Sequence, residues 1–117
     1  EASMAAAHYR LDNFCAIVDW NGLQIDGKND DVMRVAPIAD KFDAFGFHTV
    51  EIDGHDFSEI FDALDEARNT KERPTVIVAH TVKGKGVSFM ENQASWHGKA
   101  PDEMQARQAV RELGGEW

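Results

Sequence analysis

A chain of 117 residues has room for one domain and little more, yet at this size it can bury roughly two-thirds of its unfolded surface. With 43% apolar and 28% charged residues it reads as globular, not as a disordered or low-complexity segment. Twelve basic against 21 acidic side chains leave a net charge of −9, and such a surface repels nucleic-acid phosphates.

Cys15 is the single cysteine, so no internal disulfide can form, which is the usage of a reducing cytoplasm. It lies in an apolar run and is expected to be a small buried hydrophobe, not a reactive thiol. No apolar run reaches the roughly 18–20 residues that cross a bilayer, and no basic-then-apolar leader is visible. A cytoplasmic protein with neither membrane nor nucleic-acid partners is expected.

Residues 1–11, Ala-rich and free of Gly and Pro, predict a helix, with Ser3 its one plausible cap. A chain that opens inside a helix without an initiating methionine reads as cut at its front. Phe14 to Val18 is a continuous apolar run, the pattern of a strand buried on both faces of a parallel sheet. Residues 26–32 are turn chemistry with a dense negative patch, and Ile38 to Phe45 is a helix that Gly46 ends. Phe47 to Ile52 is the second strand. Asp56 with Glu59 three residues later is a capping-box pattern, and Phe57, Ile60, Phe61, Leu64 and Ala67 then recur at helical spacing. Pro74 opens a third strand, Thr75 to His80; residues 83–100 read as a long loop, and Pro101 to Leu113 as a final helix.

Strand, helix, strand, helix, strand predicts an α/β fold, a three-layer parallel sheet with flanking helices. Three strands make a thin sheet, so further strands are expected outside this sequence. In such sheets ligands bind beyond the carboxyl ends of the strands. Three polar segments follow those ends: Asp19–Gly27, Asp53–Asp56 and Thr81–Gly98.

In the first, Asn21 Oδ1 and the Leu23 carbonyl are oxygen donors of the kind Mg²⁺ takes, although an Asn-Gly pair is more often a plain turn. In the third, Lys83 and Lys85 alternate with Gly84 and Gly86, a tight basic cluster where backbone can approach a ligand; a solvated loop is the plainer alternative. His97 beside Gly98 suits a hydroxyl or phosphate. His8 and His48 are expected to be structural or exposed, and His55 and His80 to face a ligand less often than not. No zinc spacing, Walker A, GxGxxG or GxSxG motif is present.

Taken together, EASMAAAHYRLDNFCAIVDWNGLQIDG, KFDAFGFHTVEIDGHD and RPTVIVAHTVKGKGVSFMENQASWHGKAP resemble transketolase over almost the whole chain. More specifically they resemble the amino-terminal subunit of split transketolases, which carries the thiamine diphosphate-binding domain. The resemblance implies an incomplete domain over residues 1–117, the rear half of the cofactor-binding fold. It implies thiamine diphosphate and Mg²⁺ as cofactors, with Asn21 and the Leu23 carbonyl as metal ligands. Ile25 would pack against the cofactor near its thiazolium, His97 would stand near the diphosphate and the reacting centre, and Lys83 and Lys85 would border the entrance. The family's Gly-Asp-Gly segment, with its acidic metal ligand, would precede Glu1. The implied chemistry is transfer of a two-carbon ketol unit from a ketose phosphate to an aldose phosphate, as in the pentose phosphate pathway. The implied partners are sugar phosphates and a pyrimidine-binding subunit or segment, in an oligomer. These 117 residues alone are expected to be inactive. The alternatives are a non-catalytic truncated α/β fragment, or part of another thiamine diphosphate enzyme such as a deoxyxylulose-phosphate synthase.

Overall fold

A computed structural model describes all of residues 1–117, which divide into two compact units. The first comprises residues 1–20 and 35–81, the second residues 21–34 and 82–117.

The first unit is built on three parallel strands, β1 (Cys15–Trp20), β4 (His48–Asp53) and β5 (Thr75–His80), in the order β1-β5-β4. Ile17 and Val50 both lie in register with Ile77. β5 is central, and Thr75 to Ala79 are buried without a break, which is why its sequence is continuously apolar. Helices α1 (Ala2–His8) and α3 (Ile38–Ala44) pack on one face. There Ala6, Phe47, Val76 and Val78 form a buried cluster joined by Val18, Trp20, Ile38 and Phe42. Helix α4 (Phe57–Asn69) covers the other face, where Ile52, Ala63, Ile77 and Ala79 are buried together. Helix, sheet and helix are the expected three layers.

The ends of these elements follow local chemistry. Gly46 takes φ 95° after α3, a left-handed stop that L side chains rarely adopt. Asp56 caps α4 by accepting from the Ser58 and Glu59 amides. Glu59 does not close the expected box; its carboxylate accepts the Asp53 amide at 2.7 Å and ties the helix to the end of β4. At the first helix Glu1, not Ser3, holds the cap position, and it makes no side-chain capping bond.

One expectation about burial fails, and α4 shows the same physical reason. β1 alternates exposed and half-buried residues instead of being buried on both faces, and Ile17 is 63% exposed. Helix α4 keeps its predicted period, but Ala63 and Ala67 are the buried positions, while Phe57 and Phe61 are exposed. The helix covers β4 and β5, and β1 is an edge strand, so apolar side chains along β1 and the flank of α4 meet solvent. A largely apolar hollow of about 260 Å³ lies there, lined by Ile17, Ile52, Ile60, Leu64, Ile77 and Ala79.

Cys15 therefore is an exposed free cysteine, not the buried hydrophobe its apolar run suggested. Partial desolvation of the sulfur nevertheless raises its pKa above the ordinary thiol value. Since the thiolate is the nucleophile, Cys15 should alkylate completely but more slowly than glutathione at pH 7.5, with the gap closing as pH rises. Iodoacetamide kinetics followed by intact mass test this; a rate at or above that of glutathione at pH 7.5 would refute it.

The second unit holds a short antiparallel hairpin, β2 (Leu23–Gln24) with β3 (Gly27–Lys28), followed by α2 (Asn29–Val32). The segment read as pure turn thus contains a strand and one helical turn. The long loop of residues 83–100 includes a 3₁₀ turn at Ala94–Trp96 and leads to α5 (Glu103–Glu112). Here the capping box is complete: Asp102 accepts from the Gln105 amide, and the Gln105 side chain accepts from the Asp102 amide.

Candidate functional site

The second unit carries a cleft of about 450 Å³, within the size range of small-molecule sites. Its lining is Asn21, Leu23, Gln24, Ile25, Asp26, Val32, Lys83 and His97. Of the six candidate site residues of the sequence, Asn21, Leu23, Ile25, Lys83 and His97 are therefore gathered around one space, and Lys85 is not among them.

The first wall is a folded-back turn. Asn21 Oδ1 accepts the Leu23 amide at 3.0 Å, and the Gly22 carbonyl accepts the Asn29 amide at 3.0 Å. Gly22 sits at φ 75°, a geometry that suits glycine, so Asn-Gly is indeed a turn here and lines the cleft as well. Gln24 Nε2 donates to the Met33 carbonyl at 2.6 Å and closes the hairpin over α2. Ile25, between β2 and β3, is 66% exposed, an apolar surface turned to open space at the cleft.

The second wall is a compact loop. The Asn92 amide donates to the Lys83 carbonyl at 2.9 Å and draws the loop's start against its far side. Gly84 permits this closeness: at φ 70°, a Cβ there would lie 2.8 Å from the Met90 backbone. The Trp96 indole N–H donates to the Phe89 carbonyl at 2.8 Å, and the two rings meet at a tilt of 58° with centroids 5.3 Å apart. Lys99 places its ammonium 4.5 Å from the Trp96 ring centroid. These bonds fix the 3₁₀ turn that delivers His97, whose amide donates to the Ala94 carbonyl. Lys85 is exposed and does not line the cleft.

Three cleft residues were not singled out from sequence. Gln24, Asp26 and Val32 join the lining because the hairpin and α2 fold the acidic segment back on itself. Asp26 adds a carboxylate opposite in sign to Lys83; the negative patch of residues 26–32 signals it once that patch is seen as the end of a hairpin. The histidines outside the site behave structurally. His48 Nε2 contacts Glu66 at 2.6 Å and its Nδ1 meets Arg73, while His80 pairs with Glu51 at 2.8 Å. The Asp53–Asp56 segment lends its groups to the end of β4 and the start of α4, as the His55 amide on Asp53 shows, and lines no part of this cleft.

The donor set can be tested against Mg²⁺. No cluster of three or more His, Cys, Asp or Glu side chains suited to a metal is present. Asn21 Oδ1 and the Leu23 carbonyl are hard neutral oxygens, and Asp26 lines the same cleft. Mg²⁺ commonly takes one or two protein oxygens and completes its octahedron with phosphate and water. The residues present fit part of such a shell.

A parallel α/β layer and a second unit whose cleft offers amide oxygen, carbonyl, lysine and imidazole make an α/β domain with a cleft of small-molecule size. Residues 1–116 match the transketolase thiamine diphosphate-binding domain, and the chain belongs to that family. It is 41% identical over 113 residues to an apulose-4-phosphate transketolase subunit of Phocaeicola vulgatus, covering 97% of this chain and 40% of that protein. It is 40% identical over 113 residues to the 6-deoxy-6-sulfo-D-fructose transketolase subunit SqwG of a Clostridium species, covering 97% of this chain and 41% of that one. The chain thus spans about two-fifths of the length of these relatives. Among solved structures, transketolase from Campylobacter jejuni superposes with a TM-score of 0.91 at 31% identity, over 98% of this chain and 18% of that one. No helix is long and apolar enough to cross a membrane.

Proposed function

We propose that these residues are the rear half of a thiamine diphosphate- and Mg²⁺-binding domain in a split transketolase. That protein would transfer a two-carbon ketol unit from a ketose phosphate to an aldose phosphate. The observation that carries the reading is the gathering of Asn21, Leu23, Ile25, Lys83 and His97 around one cleft. Asn21 Oδ1 and the Leu23 carbonyl would hold the metal, together with a carboxylate from beyond this chain and the diphosphate oxygens. Ile25 offers the apolar surface against which the thiazolium would rest. His97 and Lys83 face the same space and would donate to diphosphate or substrate oxygens. When bound, thiamine diphosphate supplies the nucleophilic carbon that carries the transferred unit.

The partner in this reading is a pyrimidine-binding subunit; that the two relatives are each named a transketolase subunit supports a partner chain. The substrate is a sugar phosphate. A pentose phosphate is one option, and the names of those relatives point to other sugars for them. The single cysteine, Cys15, forms no disulfide and favours a cytoplasmic setting. Calorimetric titration of thiamine diphosphate with Mg²⁺ into the complete protein, paired with its pyrimidine-binding partner, tests the reading. Saturable, Mg²⁺-dependent binding together with ketol transfer is expected; no binding, or binding indifferent to chelation of Mg²⁺, would overturn it.

A further inference from the structure

The loop that supplies Lys83 and His97 is held at its middle by the last turn of α5. Glu112 accepts from the Ser88 amide at 2.6 Å and from the Ser88 hydroxyl at 2.8 Å, and Gln108 Nε2 donates to it at 2.7 Å. Next to it, Leu113 lies so near Gly86 that a Cβ there would be 3.0 Å from its Cδ2. The placement of this carboxylate needs an explanation. Glu112 is the final residue of α5, at the negative end of the helix dipole, where an acidic side chain is disfavoured. Its pKa is nevertheless lowered, first by the Gln108 bond, then by the two Ser88 bonds and the neighbouring Arg111 charge. A carboxylate kept ionised at the wrong end of a helix by converging donors is engaged with those donors.

The bonds continue from that grip to the cleft. Val87, beside Ser88, is buried and accepts the Met90 and Glu91 amides. Glu91 in turn accepts the Gly86 amide at 3.1 Å, and Asn92 bonds the Lys83 carbonyl. Beyond it, the Trp96 and His97 amides close the 3₁₀ turn. Each step is a hydrogen bond of 3.2 Å or less.

We propose that Glu112 is a positioning residue, and that its clasp on Ser88 sets the loop of residues 83–97 so that Lys83 and His97 face the cleft. Its consequence for cofactor affinity rests on the thiamine diphosphate reading above; its consequence for loop order does not. Glu112 touches no cleft residue and acts only through Ser88.

The test is hydrogen–deuterium exchange in the complete protein, comparing wild type with Glu112→Ala, Glu112→Gln and Ser88→Ala, and with peptides over Thr75–His80 as the fold control. Glu112→Ala should raise amide exchange across residues 86–97 by about tenfold or more while the β5 peptides stay unchanged. Glu112→Gln keeps an acceptor oxygen for the Ser88 amide and should restore most of the protection. Ser88→Ala keeps the amide donor and loses the hydroxyl, so it should fall between, which preserves the test if the alanine variant at 112 fails to fold. Thiamine diphosphate affinity in the presence of Mg²⁺, measured on the same proteins, should fall several-fold in that order. Unchanged exchange over residues 91–97 in the variants would overturn the clasp. Faster exchange with unchanged affinity would overturn its positioning role. Absence of binding by the wild type would instead sink the cofactor reading and leave the clasp to be judged on exchange.

Discussion

Asn21→Ala is expected to raise the dissociation constant for thiamine diphosphate with Mg²⁺ at least tenfold, or about 1.4 kcal/mol. Two losses combine. The side-chain oxygen offered to the cation disappears, and the Leu23 amide loses its 3.0 Å acceptor, so the turn that aims the Leu23 carbonyl is loosened. Asn21→Asp separates these effects. It keeps an acceptor for Leu23 and adds a formal charge that a hard divalent cation favours, so affinity should hold or rise. The measurement is calorimetry on the complete, partnered protein across a series of Mg²⁺ concentrations. A loss in Asn21→Ala that excess Mg²⁺ partly restores is the signature of ligation. Equal affinities for alanine variant and wild type would remove Asn21 from the site.

The cleft was legible in the sequence to the extent that covalent neighbours carried it. Asn21, Leu23 and Ile25 fall within five residues, so the turn that joins them is local, and one motif names all three. Lys83 and His97 are separated by a loop with no period, and only their place after a strand's carboxyl end and the resemblance link them to the first group. What brings them together is a set of side chain–backbone bonds, such as the Trp96 indole on the Phe89 carbonyl. No propensity scale encodes such bonds. Gln24 and Asp26 escaped notice because a hairpin with two-residue strands is too short to show alternation.

The same limit explains the fold. The period of α4 was readable, but period alone does not say which stripe faces the sheet. Small Ala63 is buried with Ile52, Ile77 and Ala79 and Ala67 is buried as well, while the bulkier Phe57 and Phe61 are left exposed. For β1, a continuous apolar run suggests burial on both faces. Continuous apolar sequence reports what a strand can tolerate, whereas its place in the sheet decides what is covered. β5 has the same kind of sequence and the central position, and it alone of the three strands is buried without a break from Thr75 to Ala79. Glu112 was invisible for a different reason: its partner Ser88 lies 24 residues away in the loop.

The largest stability loss is expected at Phe47, the residue just before β4. It is 1% exposed and belongs to the cluster of Ala6, Val76 and Val78 that joins α1 and α3 to the sheet. Its ring meets Phe42 edge-on at 5.2 Å and Phe14 at 6.2 Å, contacts that add to simple burial. Truncation to alanine removes that area and leaves a void that flanking β4 and β5 cannot close without breaking their shared register. Phe47→Ala should therefore cost about 3–5 kcal/mol, a large share of the roughly 5–15 kcal/mol that holds a domain folded. Phe42→Ala is the informative comparison. It deletes the same kind of ring from a half-buried site on α3, where solvent already takes part of the surface, and should cost clearly less. Urea unfolding of the complete protein, followed by far-ultraviolet circular dichroism, gives both values. Phe47→Ala within about 1 kcal/mol of wild type, or less costly than Phe42→Ala, would show that the core is centred elsewhere, on the α4 side of the sheet.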